Sequence, residues 1–233
     1  REGNVWRLLI IVILLFGAFS LARPENFPTL QNVTSMAFQA SELGILAIAV
    51  SLTMLTGGID VSINSTANLT GILSAVVLTA ILPSDPTTAD LALAITVALV
   101  VATITGFLCG LFNGILIAFV GIPPILATLG TFILYEGIGT AITGGPTVSG
   151  EGALAFIGAG DVLGFPVPLL ILLLVAFMIT VVLNRSKYGF EVYLLGTNET
   201  ASEFSGINNR RVLLIGSVSF FLERAFRAAP DIE

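Results

Sequence analysis

Long apolar runs separated by short polar stretches dominate the pattern along this chain. A helix that crosses about 30 Å of hydrocarbon needs about 20 mainly apolar residues. Gly121-Ile122-Pro123-Pro124 divides the longest uncharged run into two, because a helix does not easily cross such a sequence. A further run over 212–222 is too short to span. The pattern therefore predicts six membrane-spanning helices, over residues 7–23, 36–56, 61–82, 91–120, 124–144 and 163–183.

Composition excludes a soluble domain. Of the 233 residues 55% are hydrophobic and 10% are charged, whereas soluble domains carry about 25% charged residues. A single soluble core could not bury so many apolar side chains. We predict an all-α fold, a polytopic transmembrane helical bundle.

The positive charges predict which helix ends face the cytoplasm, because cytoplasmic loops carry an excess of Lys and Arg. An even number of spans puts the start of the first span and the end of the sixth on one side, so we predict a cytoplasmic N-terminus. The predicted outer loops, 83–90 and 145–162, contain no Lys or Arg. Basic residues flank the first span and the segment after the sixth: Arg1, Arg7, Arg185, Lys187, Arg210 and Arg211.

The N-terminus allows a second interpretation. The first residue is Arg1 rather than Met, which indicates an incomplete or processed end. Ser20-Leu21-Ala22 resembles a small-x-small cleavage site, so a signal peptide over residues 1–22 is an alternative to the first span. Cleavage there would not change the orientation of the remaining helices.

Few residues are suited to chemistry. The chain has no His, and its one cysteine, Cys109, lies inside an apolar run. This predicts no zinc cluster, no disulfide and no Cys–His nucleophile. The sparse charges form no basic patch for nucleic acid. We therefore predict no metal, no cofactor and no covalent catalysis.

Three glycines in the fourth predicted span share one helix face. Gly106, Gly110 and Gly114 recur at a spacing of four. Without Cβ atoms they allow another backbone to come close. The spacing predicts tight helix packing, either within the chain or across a dimer.

A helix break is predicted near residues 57–60. The pair Gly57-Gly58 loosens the helix, and Asp60 and Ser62 can cap the next one. Broken helices at membrane depth occur only inside protein or beside a watery cavity. The segment is therefore either a break that lines a transport path or an ordinary turn at the membrane interface.

Two carboxylates interrupt the apolar runs. Glu42 and Glu136 are predicted in the outer half of the bundle, each about two turns below the surface. Carboxylates inside a membrane are costly and usually face the bundle interior. They favour contact with an entering substrate, or ion coupling in a secondary transporter, unless they reach an interface or stay protonated.

The stretch 184–211 is the longest polar segment, on the predicted cytoplasmic side. Asn198 can cap a short helix through 199–204, and Gly206 can end it. Such a helix could dock a soluble partner; a solvated loop is the alternative.

A short match to a protease motif is also present. Gly158-Ala159-Gly160-Asp161 has the GxGD form of intramembrane aspartyl proteases. Catalysis would need a second aspartate, but Tyr135 is followed by Glu136 where those enzymes have Tyr-Asp. This alternative is remote, since four residues are a weak match.

Three ordered blocks resemble the permease subunits of sugar-type ABC importers, the ribose/xylose/galactose group. LTGGIDVSINS at 55–65 is similar to the family's LTGGIDLSVGS. The stretch 110–145 (GLFNGILIAFVGIPPILATLGTFILYEGIGTAITGG) resembles its LNG…IPPFIxTLGT…YRG…TGG pattern. YGFEVYLLGTNETASEFSGI at 188–207 resembles FGRxVYAIGGNxxAAxxSGI. Together the blocks span most of residues 36–219.

The resemblance implies a bacterial inner-membrane subunit, surrounded by lipid, that passes a small sugar across the membrane. It implies three partners: a second permease, a cytoplasmic ABC ATPase, and a periplasmic or lipoprotein sugar-binding protein. The residues expected along the path are Gly57, Gly58, Asp60, Ser62, Asn113, Gly114, Glu42 and Glu136. The residues expected at the ATPase contact are Asn198, Glu199, Ala201, Ser205 and Gly206.

The chain also departs from that pattern. Asn64 replaces a Gly, Glu136 stands where the family often has Arg, and Phe190 replaces the Arg of the docking segment. The resemblance ends after Ser219. We therefore expect a permease domain over 1–219, incomplete relative to the family, followed by an atypical polar tail over 220–233.

Overall fold

The computed structural model describes residues 2–83, 85, 87–145, 160–162 and 165–214. A last helical stretch covers residues 209–214. The elements before it, in chain order, are α1 (Glu2–Ala22), α2 (Leu30–Leu55), α3 (Ile63–Ile81), α4 (Thr88–Ala118), α5 (Pro124–Thr143), β1 (Asp161–Val162), β2 (Phe165–Pro166), α6 (Val167–Arg185), α7 (Lys187–Thr197) and α8 (Glu199–Phe204).

Helices α1 to α6 are each long and apolar enough to cross a membrane. This confirms the predicted fold class and the six predicted spans within the described residues. The division at residues 121–124 is also confirmed, because α4 ends at Ala118 and α5 begins at Pro124. Gly121 lies between them with a φ of 79°. Most of the predicted outer loop at 145–162 and the whole predicted tail at 220–233 lie outside the described residues.

The predicted helix bounds were wrong by several residues where hydrogen bonds rather than hydropathy set them. Helix α2 begins at Leu30 instead of residue 36, because the Thr29 side chain accepts from the Asn32 N–H at 3.2 Å. Helix α6 begins at Val167 instead of residue 163. The chain before it forms an antiparallel ribbon in which Asp161 pairs with Pro166.

Helix α3 lies at the centre of the described bundle and packs against α4 and α5. It is rich in hydroxyl side chains, which need hydrogen-bond partners in an apolar interior. The Thr66 hydroxyl donates to the Ser62 carbonyl at 2.9 Å. The Ser74 hydroxyl lies 2.8 Å from the Thr70 carbonyl and 3.2 Å from the Ala98 carbonyl of α4. A polar helix can therefore form the core.

Helix α4 presents a continuous stripe of small residues. They recur every four positions and all are buried. Ala94 and Ala98 pack against Leu78 of α3, and small side chains there allow the two backbones to approach. The predicted glycines lie in the middle of this stripe: Ala94, Ala98, Ala102, Gly106, Gly110, Gly114 and Ala118.

One end of the bundle gathers three connecting segments. The connection 56–62 contacts the start of α5, where Gly58 packs against Pro124. The connection 119–123 leads into that same residue. The end of α2 meets α7, because Leu55 packs on a cluster that includes Val192 and Leu195.

Candidate functional site

The predicted break begins with a left-handed glycine. Gly57 has a φ of 82°, which favours a residue without a Cβ. Its N–H donates to the Met54 carbonyl, and the Gly58 N–H donates to the Thr53 carbonyl, both at 3.1 Å. This pair of bonds is the Schellman arrangement that ends helices. The Gly57-Gly58 pair therefore stops α2 cleanly.

Asp60 and Ser62 hold the other side of the break. The Ser62 N–H and hydroxyl both donate to the Asp60 Oδ1 atom, at 2.8 and 2.6 Å. Ser62 makes no side-chain cap of α3, so the expectation that it caps that helix was wrong. Its hydroxyl instead turns back to the carboxylate, where a charge-assisted bond is stronger than a neutral one.

Asn113 of α4 extends this chain of hydrogen bonds. Its Nδ2 donates to the Ser62 hydroxyl oxygen at 2.8 Å. The side chain is 1% exposed, and its Oδ1 has no hydrogen-bond partner among the described residues. Asn113 thus donates to Ser62, and Ser62 donates to Asp60, so the series of hydrogen bonds ends on a carboxylate.

Thr128 joins the break to α5. Its hydroxyl oxygen accepts from the Val61 N–H at 3.1 Å and lies 2.8 Å from the Pro124 carbonyl. The side chain is buried. Added to the Gly58–Pro124 contact, this bond fixes the break against the first turn of α5.

A second buried hydrogen bond, one helical turn before Asn113 on α4, joins α5 to α4. The Tyr135 hydroxyl donates to the Cys109 carbonyl at 2.8 Å. Both residues lie in a core cluster with Ala49 of α2 and Ile63 of α3. Residues of four helices, α2 to α5, therefore pack together in this cluster.

A small cavity opens beside the break. Thr53, Thr56, Asp60 and Thr128 are the polar residues that line it, and Leu213 lines it as well. It lies at the same end of the bundle as α7.

The predicted docking segment forms two short helices. The Asn198 side chain accepts from the Ala201 N–H at 3.0 Å, and Gly206 has a φ of 79° after α8. The predicted cap and C-terminal stop are confirmed. The side chain of Asn209 bonds to α8 at two points, because it accepts from the Ser202 hydroxyl and donates to the Glu199 carbonyl. The residues expected at the ATPase contact are all exposed: Asn198, Glu199, Ala201, Ser205 and Gly206.

The two carboxylates of the spans lie in different surroundings. Glu42 is half-buried near the middle of α2, and Glu136 is exposed on α5. Tyr135, next to Glu136, faces the core, so Glu136 points away from the helices that pack on α5. Asp161, the acid of the protease-like motif, is exposed on β1, and Gly158 and Ala159 lie outside the described residues.

Thr128, Tyr135 and Gly196 were missed as site residues in the sequence. Thr128 and Tyr135 stand inside the block at 110–145, and Gly196 stands inside the block at 188–207. A hydroxyl within an apolar span needs a partner, which is the signal that could have identified the first two. Gly196 carries no such signal, because its importance comes from close contact with the backbone of Leu55 on α2, which is far away in the sequence.

We expect Thr128→Val to reduce the free energy of unfolding by about 1–3 kcal/mol, because the Val61 N–H would lose its acceptor. Thermal unfolding followed with a thiol-reactive dye would measure this, since Cys109 is the only cysteine and is buried. Thr140→Val is the matched control, because among the described residues that exposed hydroxyl bonds only to the Glu136 carbonyl of its own helix. Equal melting temperatures for the two variants would contradict the role of Thr128.

Comparison with known proteins agrees with the resemblance to transporter permeases that the three ordered blocks carry. Residues 32–220 match the family described as the branched-chain amino acid transport system / permease component. No solved structure matches the chain.

Individual relatives cover most of this chain. The autoinducer 2 import system permease protein LsrD of Enterobacter sp. (strain 638) is 32% identical over 89% of the chain and 61% of its own length. The ribose import permease protein RbsC of Haemophilus influenzae is 32% identical over 93% of the chain and 65% of its own length. The D-allose transport system permease protein AlsC of Escherichia coli is 30% identical, with 89% and 60% covered. The chain thus spans less than two thirds of these relatives. The family nevertheless matches most of this chain, over residues 32–220. The chain therefore belongs to this family of multi-pass transport-system permease components.

Proposed function

We propose that the chain is a permease subunit of an ABC importer in the bacterial inner membrane. It passes a small sugar, a monosaccharide such as ribose, xylose or galactose, and ATP is hydrolysed by a partner. Two of the relatives import ribose and D-allose, as their names state. The observation that carries the proposal is the meeting of all three family-like blocks at one end of the bundle, through Gly58, Pro124 and Gly196.

The break and α4 form the proposed gate of the sugar path. Gly57, Gly58, Asp60 and Ser62 shape the connection beside the cavity. Asn113 and Gly114 are buried in α4, so they reach the sugar only when the helices move apart. A path that alternates between two openings requires such a movement.

The two acids support roles at different surfaces of the path. Glu42 is half-buried on α2, where it contacts the path from within this subunit. Glu136 is exposed on α5, and a carboxylate facing lipid is costly. We place the second permease subunit against that face of α5, where it encloses the path.

The remaining partners follow from orientation. The end that holds α7 and α8 is cytoplasmic, as the basic residues around it favour, and the N-terminus lies on the same side. The ABC ATPase docks on 188–207, and a periplasmic or lipoprotein sugar-binding protein delivers the sugar at the opposite end. Residues 1–219 form the permease domain.

Uptake of labelled ribose, xylose and galactose by cells of the native host tests the energy source. We expect uptake to stop when ATP is depleted with the proton gradient intact. We also expect no uptake in cells that lack this chain. Uptake that survives ATP depletion and collapses with the proton gradient would overturn the proposal. It would favour a secondary transporter that uses Glu42 and Glu136.

A further inference from the structure

The break is contacted from two sides by segments far apart in sequence. On one side lies α7, through Gly196. A methyl group added to Gly196 would collide with the Leu55 carbonyl oxygen at the end of α2. Backbone meets backbone at this point, with no flexible side chain between them.

The same side is packed with apolar groups. Val192, Leu195 and Val212 form a buried cluster, and Leu55 packs against it. Leu213, from the helical stretch after α8, also contacts that cluster and lines the cavity beside the break. Close-packed groups transmit displacement because they leave no void to absorb it.

On the other side, directed hydrogen bonds hold the break to the spans. Asn113 reaches it from α4 through Ser62, and Thr128 reaches it from α5 through Val61. These bonds join positions 51 and 67 residues apart in sequence. The unpartnered Asn113 Oδ1 makes this arrangement less stable than a fully bonded one, which eases its release.

We propose that residues 56–62 are a relay that passes movement of α7 to α4 and α5. Movement of α7 reaches this segment through the contact between Gly196 and Leu55. Asn113 and Thr128 are the positioning residues through which it reaches α4 and α5. The inference gives the mechanical link within this chain. Its use in transport rests on the proposed function, since the ATPase would move α7.

Cys109 reports on movement of α4 in this chain alone, with no second protein present. It lies one turn from Asn113 on α4 and packs with Ile63, the first residue of α3. We would measure its rate of alkylation by N-ethylmaleimide in the full chain in lipid nanodiscs. Gly196→Ala is expected to raise that rate by about threefold or more, the size of effect that coupled neighbours produce.

Gly137→Ala is the matched control, because no described atom beyond the adjacent backbone of its own helix lies within 4 Å of a Cβ at that position on α5. It is expected to leave the rate unchanged. An equal response of the two variants would overturn the relay.

A background without the hydrogen bonds of Asn113 and Thr128 separates the relay from general loosening. In an Asn113→Leu/Thr128→Val background the bonds to Ser62 and to the Val61 N–H are both absent, so Gly196→Ala is expected to cause no further change. The same threefold rise in both backgrounds would show that movement bypasses these bonds and would overturn the proposal. If Gly196→Ala does not fold, Val192→Ala loosens the same contact, and its effect on the rate must likewise vanish in the Asn113→Leu/Thr128→Val background. Because labelling uses no ATPase and no sugar, a negative result counts against the relay and leaves the proposed function standing.

Discussion

Replacing Gly58 by valine is expected to destabilise the chain by about 1–3 kcal/mol or more, because an overpacked site forces backbone shifts. A Cβ at Gly58 would lie 3.0 Å from the Cβ and 3.2 Å from the Cγ of Pro124. Pro124 has a rigid ring and opens α5, so it cannot turn aside. The branched side chain of valine would push the break away from α5.

The displaced break would also lose its hydrogen bonds to α5. The Val61 N–H and the Thr128 hydroxyl are 3.1 Å apart, and a shift of about 1 Å would part them. We therefore expect Gly58→Val to abolish uptake as well as to lower the melting temperature followed through Cys109.

Gly130→Val is the control for this prediction. Gly130 is a helical glycine of α5, and no described atom beyond the adjacent backbone of its own helix lies within 4 Å of the position that a Cβ would take there. The control carries the cost of valine in a helix but no collision. If both variants melt at the same temperature, contact with Pro124 does not explain the glycine at position 58.

The sequence predicted features that depend on short stretches of chain. Six spans follow from apolar length alone, and they are present as α1 to α6. The cap and stop of α8 follow from Asn198 and Gly206, whose bonds are made within a few residues. The local sequence is sufficient to predict a hydrogen bond when its donor and acceptor lie within one helical turn.

The site could not be predicted in the same way, because its bonds join distant residues. Spacing placed Asn113 beside the glycine stripe but gave no sign of its bond to Ser62 on another helix. The Ser62 hydroxyl bonds to Asp60, which is only two residues away. An N-cap bond from Ser62 to the first turn of α3 would be equally close in sequence. Only the packed bundle decides between them.

Exposed aromatic side chains at the end of the bundle that carries α7 and α8 lead to the second large effect. Phe204, the last residue of α8, is 90% exposed, and Phe190 of α7 is 65% exposed. Exposed aromatic side chains beside polar residues mark contact surfaces for other proteins. Aromatic anchors of this kind provide much of the binding energy of an interface.

We expect Phe204→Ala to lower ATPase recovery with the tagged chain by about tenfold or more, as loss of an aromatic anchor does. The measurement is phosphate release from ATP by material that co-purifies from native-host membranes. The melting temperature should not change, because the exposed ring packs on little else in the described bundle.

Phe165→Ala is the matched control. It removes the same ring, 60% exposed, at the opposite end of α6 from α7. Asn198→Ala supplies a second test at the docking end, because it removes the cap bond to the Ala201 N–H. Unchanged recovery with both Phe204→Ala and Asn198→Ala would show that the ATPase docks elsewhere. A loss with Phe165→Ala as large as with Phe204→Ala would show that assembly depends on exposed rings in general, rather than on the surface that α8 presents.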